Sequence, residues 1–111
     1  MCRALRVLCG AANRERLAEL KRASVGAHWE LVGGATSLEE LQKQIGEFEP
    51  DVVIVDAGLG HGAVQGLRLL GRTVRLVSLG SLPGADAEVS ELGDIRSAVL
   101  GLPRPGGPVR T

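Results

Sequence analysis

The chain has 111 residues, enough to bury one hydrophobic core and too few for two ordinary ones. Thirteen basic residues balance thirteen acidic ones, so no net field draws the chain to nucleic acid or an anionic membrane, and its only aromatic residues, Trp29 and Phe48, give no stacking platform for single strands. Hydrophobic residues make up 44% of the chain, yet no apolar run approaches the ~20 residues of a membrane span and Met1 to Leu8 lacks a signal-peptide core, which predicts a cytoplasmic globular domain with an aliphatic interior.

Ala4-Leu5-Arg6-Val7-Leu8-Cys9 is a short apolar run closed by Gly10 and predicts a first strand buried on both faces. Asn13 is a candidate N-cap for a helix in which Leu17, Leu20 and Ala23 recur at three-residue intervals, with Arg14, Glu15, Arg16, Glu19, Lys21 and Arg22 on the other face. Trp29-Glu30-Leu31-Val32 predicts a second strand, ended by Gly33-Gly34. Ser37 and Glu40 have capping-box spacing, and Leu38, Leu41, Ile45 and Phe48 form the apolar stripe of a second helix.

Pro50 stops that helix, and Asp51-Val52-Val53-Ile54-Val55-Asp56 sets four branched aliphatics between two acids, the strongest buried-strand signal in the chain. Gly58, Gly60 and Gly62 predict a flexible loop, Ala63 to Leu70 a short helix, and Thr73 to Leu79 a fourth strand. Ser81-Leu82-Pro83-Gly84 is turn chemistry, and Ala87 to Leu92 fits either a short edge strand or the start of a helix. Asp94 can cap a last helix holding Ile95, Ala98 and Val99. Pro103, Pro105 and Pro108 with Gly106 and Gly107 then forbid regular structure, so residues 103–111 are expected to be a flexible tail or linker stub after a domain spanning 1–102.

Strands alternating with helices at this spacing imply a mainly parallel sheet with helices on both faces, and ligands of such sheets bind beyond the carboxyl ends of the strands. The residues there are Cys9 to Asn13, Asp56 to His61 and Ser78 to Ser81. Cys2 and Cys9 read as two free thiols. With no CxxC pair and only His28 and His61 to join them, no metal site is expected, and no other cofactor. His61 has no identifiable catalytic partner, and the glycines around it form neither a GxGxxG nor a Gly-Lys-Ser fingerprint.

At these residues the chain resembles the receiver domains of two-component response regulators, as far as Gly80 and more vaguely to Leu102. Pro50 to Asp56 is similar to the proline-aspartate and apolar strand that end in the receiver phosphoacceptor, which makes Asp56 the candidate, vestigial phosphoacceptor; Ser78 matches the hydroxyl residue with which receivers sense the phosphoryl group. The resemblance implies a flavodoxin-like, doubly wound sheet of about five strands in the order 2-1-3-4-5, with a shortened or missing fourth helix in the weak region. Two features of the family are missing. Where receivers carry a pair of acids for Mg²⁺ the chain has Gly10-Ala11-Ala12-Asn13, and where they carry a lysine after the fifth strand it has none, since Lys21 and Lys43 fall on outer helix faces and neither Arg96 nor Arg104 occupies a clear strand-end position. Phosphoryl transfer rests on such cations, so Asp56 is not expected to be phosphorylated efficiently.

An enzyme reading starts from Cys9, which ends a strand before a helix N-terminus as in low-molecular-weight tyrosine phosphatases or sugar-phosphotransferase IIB domains. Arg14, however, follows five residues later rather than six, and Ala11-Ala12 supplies no hydroxyl, so a buried structural cysteine is favoured. The resulting expectation is a pseudo-receiver that is not an enzyme and acts on a protein partner or an output domain. A working phosphoacceptor is the alternative. The edge from Ala87 to Leu92, with Val89 and Leu92, is the candidate homodimer surface.

Overall fold

The structure is a computed structural model and describes residues 5–25, 29–59, 74–80 and 85–101. The expected helix Ala63 to Leu70, the tail 103–111, and Cys2, His28, His61 and Arg104 lie outside the described residues.

Five strands form one parallel sheet in the order β2-β1-β3-β4-β5: β1 Leu5–Gly10, β2 Trp29–Ala35, β3 Val52–Asp56, β4 Arg75–Leu79 and β5 Ala87–Val89. This is the flavodoxin-like order implied by the receiver resemblance. The described helices are α1 Arg14–Ser24, α2 Leu38–Phe48 and α3 Ile95–Gly101. Side chains alternate across the pleat of the central strands. Val7, Cys9, Ile54, Val77 and Leu79 pack with Leu20 of α1 and Ile95 and Val99 of α3, while Leu8, Val53, Val55 and Leu76 pack with Leu41 and Ile45 of α2. β1 and β3 are buried on both faces, which is why they read as unbroken apolar runs.

Both long helices begin on side-chain caps. Asn13 Oδ1 accepts the Arg16 N–H (2.8 Å), and Ser37 Oγ accepts the Glu40 N–H (3.2 Å) while Glu40 Oε1 reaches back to the Thr36 N–H (3.2 Å). Two aspartates set strand register by one repeated device. Asp51 gives its N–H to the Arg6 carbonyl and takes the Arg6 N–H on Oδ2, both 2.8 Å; Asp86 does the same with Leu76, at 2.8 and 2.7 Å. Each stands one residue ahead of its strand and locks β3 to β1 or β5 to β4.

Two expectations need correction. β2 does not end at Gly33-Gly34 but runs through both to Ala35, because a Cβ on Gly33 would lie 3.0 Å from Phe48 of α2 and one on Gly34 would lie 2.5 Å from Lys21 of α1. The glycines let helices approach both faces of the strand, and a register shift after Val7 leaves Val32 as the extra residue of a bulge. Asp94 does not cap α3; it ends a 3-10 turn, Leu92–Asp94, that runs straight into the helix. Of the two alternatives for Ala87 to Leu92, the short edge strand holds: the stretch opens with β5 and then approaches that turn. Only Gly80 to Asp86 join parallel β4 to β5, fewer than the dozen or so residues that a helical crossover takes.

Candidate functional site: the strand-end crevice

The order of the sheet reverses between β1 and β3, so their carboxyl ends open the crevice where ligands of such sheets bind. Gly10 and Ala11 close β1 there, with the Ala11 N–H bonded to the Ala35 carbonyl (3.0 Å), and Ala12 and Asn13 lead exposed into α1. Asp56 ends β3 and passes into a 3-10 turn, Ala57–Leu59. Its side chain is 14% exposed, and one carboxylate oxygen lies over Gly58, where a Cβ would stand 3.0 Å from it and 3.7 Å from the Ala12 methyl.

The partner of Asp56 is Arg16, which helical periodicity alone places on the solvent side of α1. Arg16 Nε lies 3.6 Å from Asp56 Oδ1, and the other arm of the guanidinium lies 3.4 Å from Glu19. Helical side chains tilt toward the N-terminus of their helix, so an arginine in the first turn of α1 reaches back over the strand ends. A signal was present: cations in a first turn oppose the helix dipole, and Arg16 there calls for a nearby carboxylate. A half-exposed pair of this length contributes at most ~1 kcal/mol, which makes it a latch rather than a pillar of stability.

Ser78 is fully buried at the end of β4, but the structure does not bring it to Asp56. Asp56 is in register with Leu79 and Ser78 with Val55, so the pleat sends the two side chains to opposite faces. The Ser78 hydroxyl donates to the Gly80 carbonyl (2.8 Å), and the Gly80 N–H donates to the Val89 carbonyl (2.7 Å) through a residue with φ of +102°.

Cys9 faces the core and not the crevice. It is fully buried, its thiol meets Ser24 Oγ at 3.6 Å, and burial pushes its pKa up to about 11 despite the opposing effects of Ser24 and Lys21. A nucleophilic cysteine needs the reverse of both conditions. Val89 and Leu92 are half-buried against the α1–α3 core, so the outward side chain of edge strand β5 is Glu88. Arg96 is exposed on α3.

The residues do not suit the magnesium that the resemblance implies. That ion prefers an octahedron of oxygens, commonly with more than one carboxylate; here Asp56 is faced by a guanidinium, and Gly10 to Asn13 after β1 supply no acid. Among the described residues no three His, Cys, Asp or Glu side chains converge.

Solved structures share this fold. The signal receiver domain of the response regulator NarL from Mycobacterium tuberculosis matches with a TM-score of 0.72 and 22% identity over 89% of this chain and 95% of its own. The response regulator domain of Thermotoga maritima CheB matches with a TM-score of 0.67 and 20% identity over 88% and 92%. The chain has the receiver fold. A cobalamin-binding protein from Desulfitobacterium hafniense DCB-2 shares the scaffold as well, with a TM-score of 0.66 and 16% identity over 88% of this chain and 58% of its own, so what the receiver fold does here has to be argued from the crevice. No protein-family model matches the sequence, and no curated protein does. Among the described residues no helix is long and apolar enough to cross a membrane.

Proposed function

We propose that the chain is a pseudo-receiver: a non-enzymatic interaction or regulatory module of bacterial-type signalling that works on a protein partner or output domain without phosphoryl transfer. One observation carries this reading. The acid at the end of β3 has an arginine of its own chain for a neighbour, and the stretch after β1, Gly10 to Asn13, carries no carboxylate. Transfer of a phosphoryl group to a carboxylate depends on cations that bridge donor and acceptor and neutralise developing charge, and a guanidinium already turned to the acceptor cannot bridge them. The engagement of the Ser78 hydroxyl with Gly80 supports the same reading.

The test is incubation with acetyl phosphate, or with beryllofluoride, in the presence of Mg²⁺. Unchanged mass and unchanged amide resonances at Asp56 and Ala57 are expected. A phosphoryl mass gained by the natural chain and lost in Asp56→Asn establishes the phosphoacceptor alternative instead. Residues 103–111 are read as a linker stub toward an output domain, and β5, the edge strand of the described sheet, as the place where a second copy would add. Light scattering at working concentration decides the latter, and a monomer removes it.

A further inference from the structure

We infer that Arg16 is the resident cation of the strand-end crevice, supplying beside Asp56 the positive charge that a divalent ion would otherwise bring, and so making the crevice indifferent to such ions. This rests on reading the crevice as phosphorylation-independent and names the residue that keeps it so.

Three features of the arrangement agree. The backbone of Arg16 is fixed by the α1 cap, since its N–H is the one that Asn13 Oδ1 accepts. Its guanidinium sits between two acids, Nε 3.6 Å from Asp56 Oδ1 and Nη1 3.4 Å from Glu19, which keeps its charge beside Asp56 although the side chain is 37% exposed. The surroundings of Asp56 also suit one monovalent partner. A carboxylate with 14% of its side chain exposed needs a counter-charge, and neither Gly58 beside it nor Ala12 across from Gly58 offers a further anionic oxygen. A divalent ion entering there would find fewer than three converging acids among the described residues and would meet a positive charge a few ångströms away, and both reduce its affinity.

The experiment restores one acid and asks whether Arg16 still excludes the metal. Ala12→Asp adds a carboxylate next to Asp56, and Mn²⁺ serves as an oxygen-preferring paramagnetic probe of the full chain, read as broadening of the Ala57 and Gly58 amide signals. The natural chain is expected to show no selective broadening, and A12D to show it only at high Mn²⁺. A12D/R16Q should broaden at a concentration lower than A12D by about tenfold or more, and A12D/R16Q/D56N should lose that response. A second measurement needs no substitution at Ala12: the Arg16 Nε–Hε signal should shift in Asp56→Asn, as loss of a charge 3.6 Å away requires. Equal responses of A12D and A12D/R16Q overturn the inference, and so does an Arg16 Nε–Hε signal unmoved by D56N, which decides alone should the Ala12 variants not fold. Phosphoryl addition to the natural chain would defeat the phosphorylation-independent reading by itself and would leave these titrations to be judged separately.

Discussion

Raising the pH should weaken the fold through one buried thiol. Cys9 is fully buried with a pKa pushed from 9.0 up to about 11, chiefly by the loss of water around the thiolate. In the unfolded chain the thiol ionises first, so the unfolded state binds fewer protons between these values and stability falls as pH rises. The contribution is complete below pH 9 and is lost through pH 11; at about 1.4 kcal/mol per unit, the step from pH 8 to pH 10 removes on the order of 1 kcal/mol. With a urea slope of ~1–2 kcal/mol/M for a domain of this size, the midpoint should move down by roughly 0.5–1 M. Trp29, the single tryptophan, is 8% exposed and donates its indole N–H to the Ser24 carbonyl, so its emission reports unfolding. The comparison is with Cys9→Ala. Cys2 is common to both chains and cancels, and the absence of tyrosine leaves few other groups titrating in this range. Parallel stability curves for the natural chain and C9A from pH 8 to 10 would refute the buried neutral thiol. So would alkylation of native Cys9 by iodoacetamide at neutral pH as fast as in an unfolded peptide, and that result would reopen the thiol-enzyme reading.

Other substitutions follow from local geometry. Gly46 lies inside α2 with open space where a Cβ would go, so Gly46→Ala should stabilise by about 1 kcal/mol, seen as a higher thermal midpoint. Gly33→Ala should cost about 1–3 kcal/mol because its methyl meets Gln44, Phe48 and Leu8 together, whereas Gly34→Ala should cost less, since the nearest obstacle is the movable end of Lys21; equal urea midpoints for the two would contradict this account. Asp51→Ala removes the acceptor of the Arg6 N–H and should cost about 1–3 kcal/mol, with loss of hydrogen-exchange protection at Arg6 as its local signature.

The fold was legible where one residue type answers to one cause. Val52 to Val55 are branched and apolar because β3 is covered on both sides, and Asn13, Ser37 and Glu40 announced the helix starts because each satisfies a backbone N–H that the helix leaves open. The pattern misled where one residue type serves two ends. Gly33-Gly34 read as a chain break, although glycine also admits a helix against a strand, and only the packing of Lys21 and Phe48 separates the cases. Asp56 was placed at a strand end by the apolar run before it. Its partner was hidden because a charged residue early in a helix is ordinarily solvated, and nothing in spacing alone says that Arg16 turns back over β3.

The separation of Asp56 from Ser78 bears on whether this crevice can report to the β5 edge at all. A ligand or charge shifts a conformational equilibrium only by interacting differently with its two states, and the change must reach an element that has two arrangements. Here Asp56 is tied to α1 through Arg16 on one face of the sheet, while Ser78 holds Gly80, and Gly80 holds Val89, by short bonds of their own. None of those bonds uses the carboxylate, so the local structure of β5 is set without it. Asp56→Asn should therefore move amide signals at Arg16 and Ala57 and leave those at Val89 and Leu92 in place, whereas Ser78→Ala, which frees the Gly80 carbonyl, should move Val89. Displacement of the Val89 and Leu92 signals by D56N would show that the crevice and the edge are coupled, and the β5 surface would then have to be treated as switchable rather than fixed.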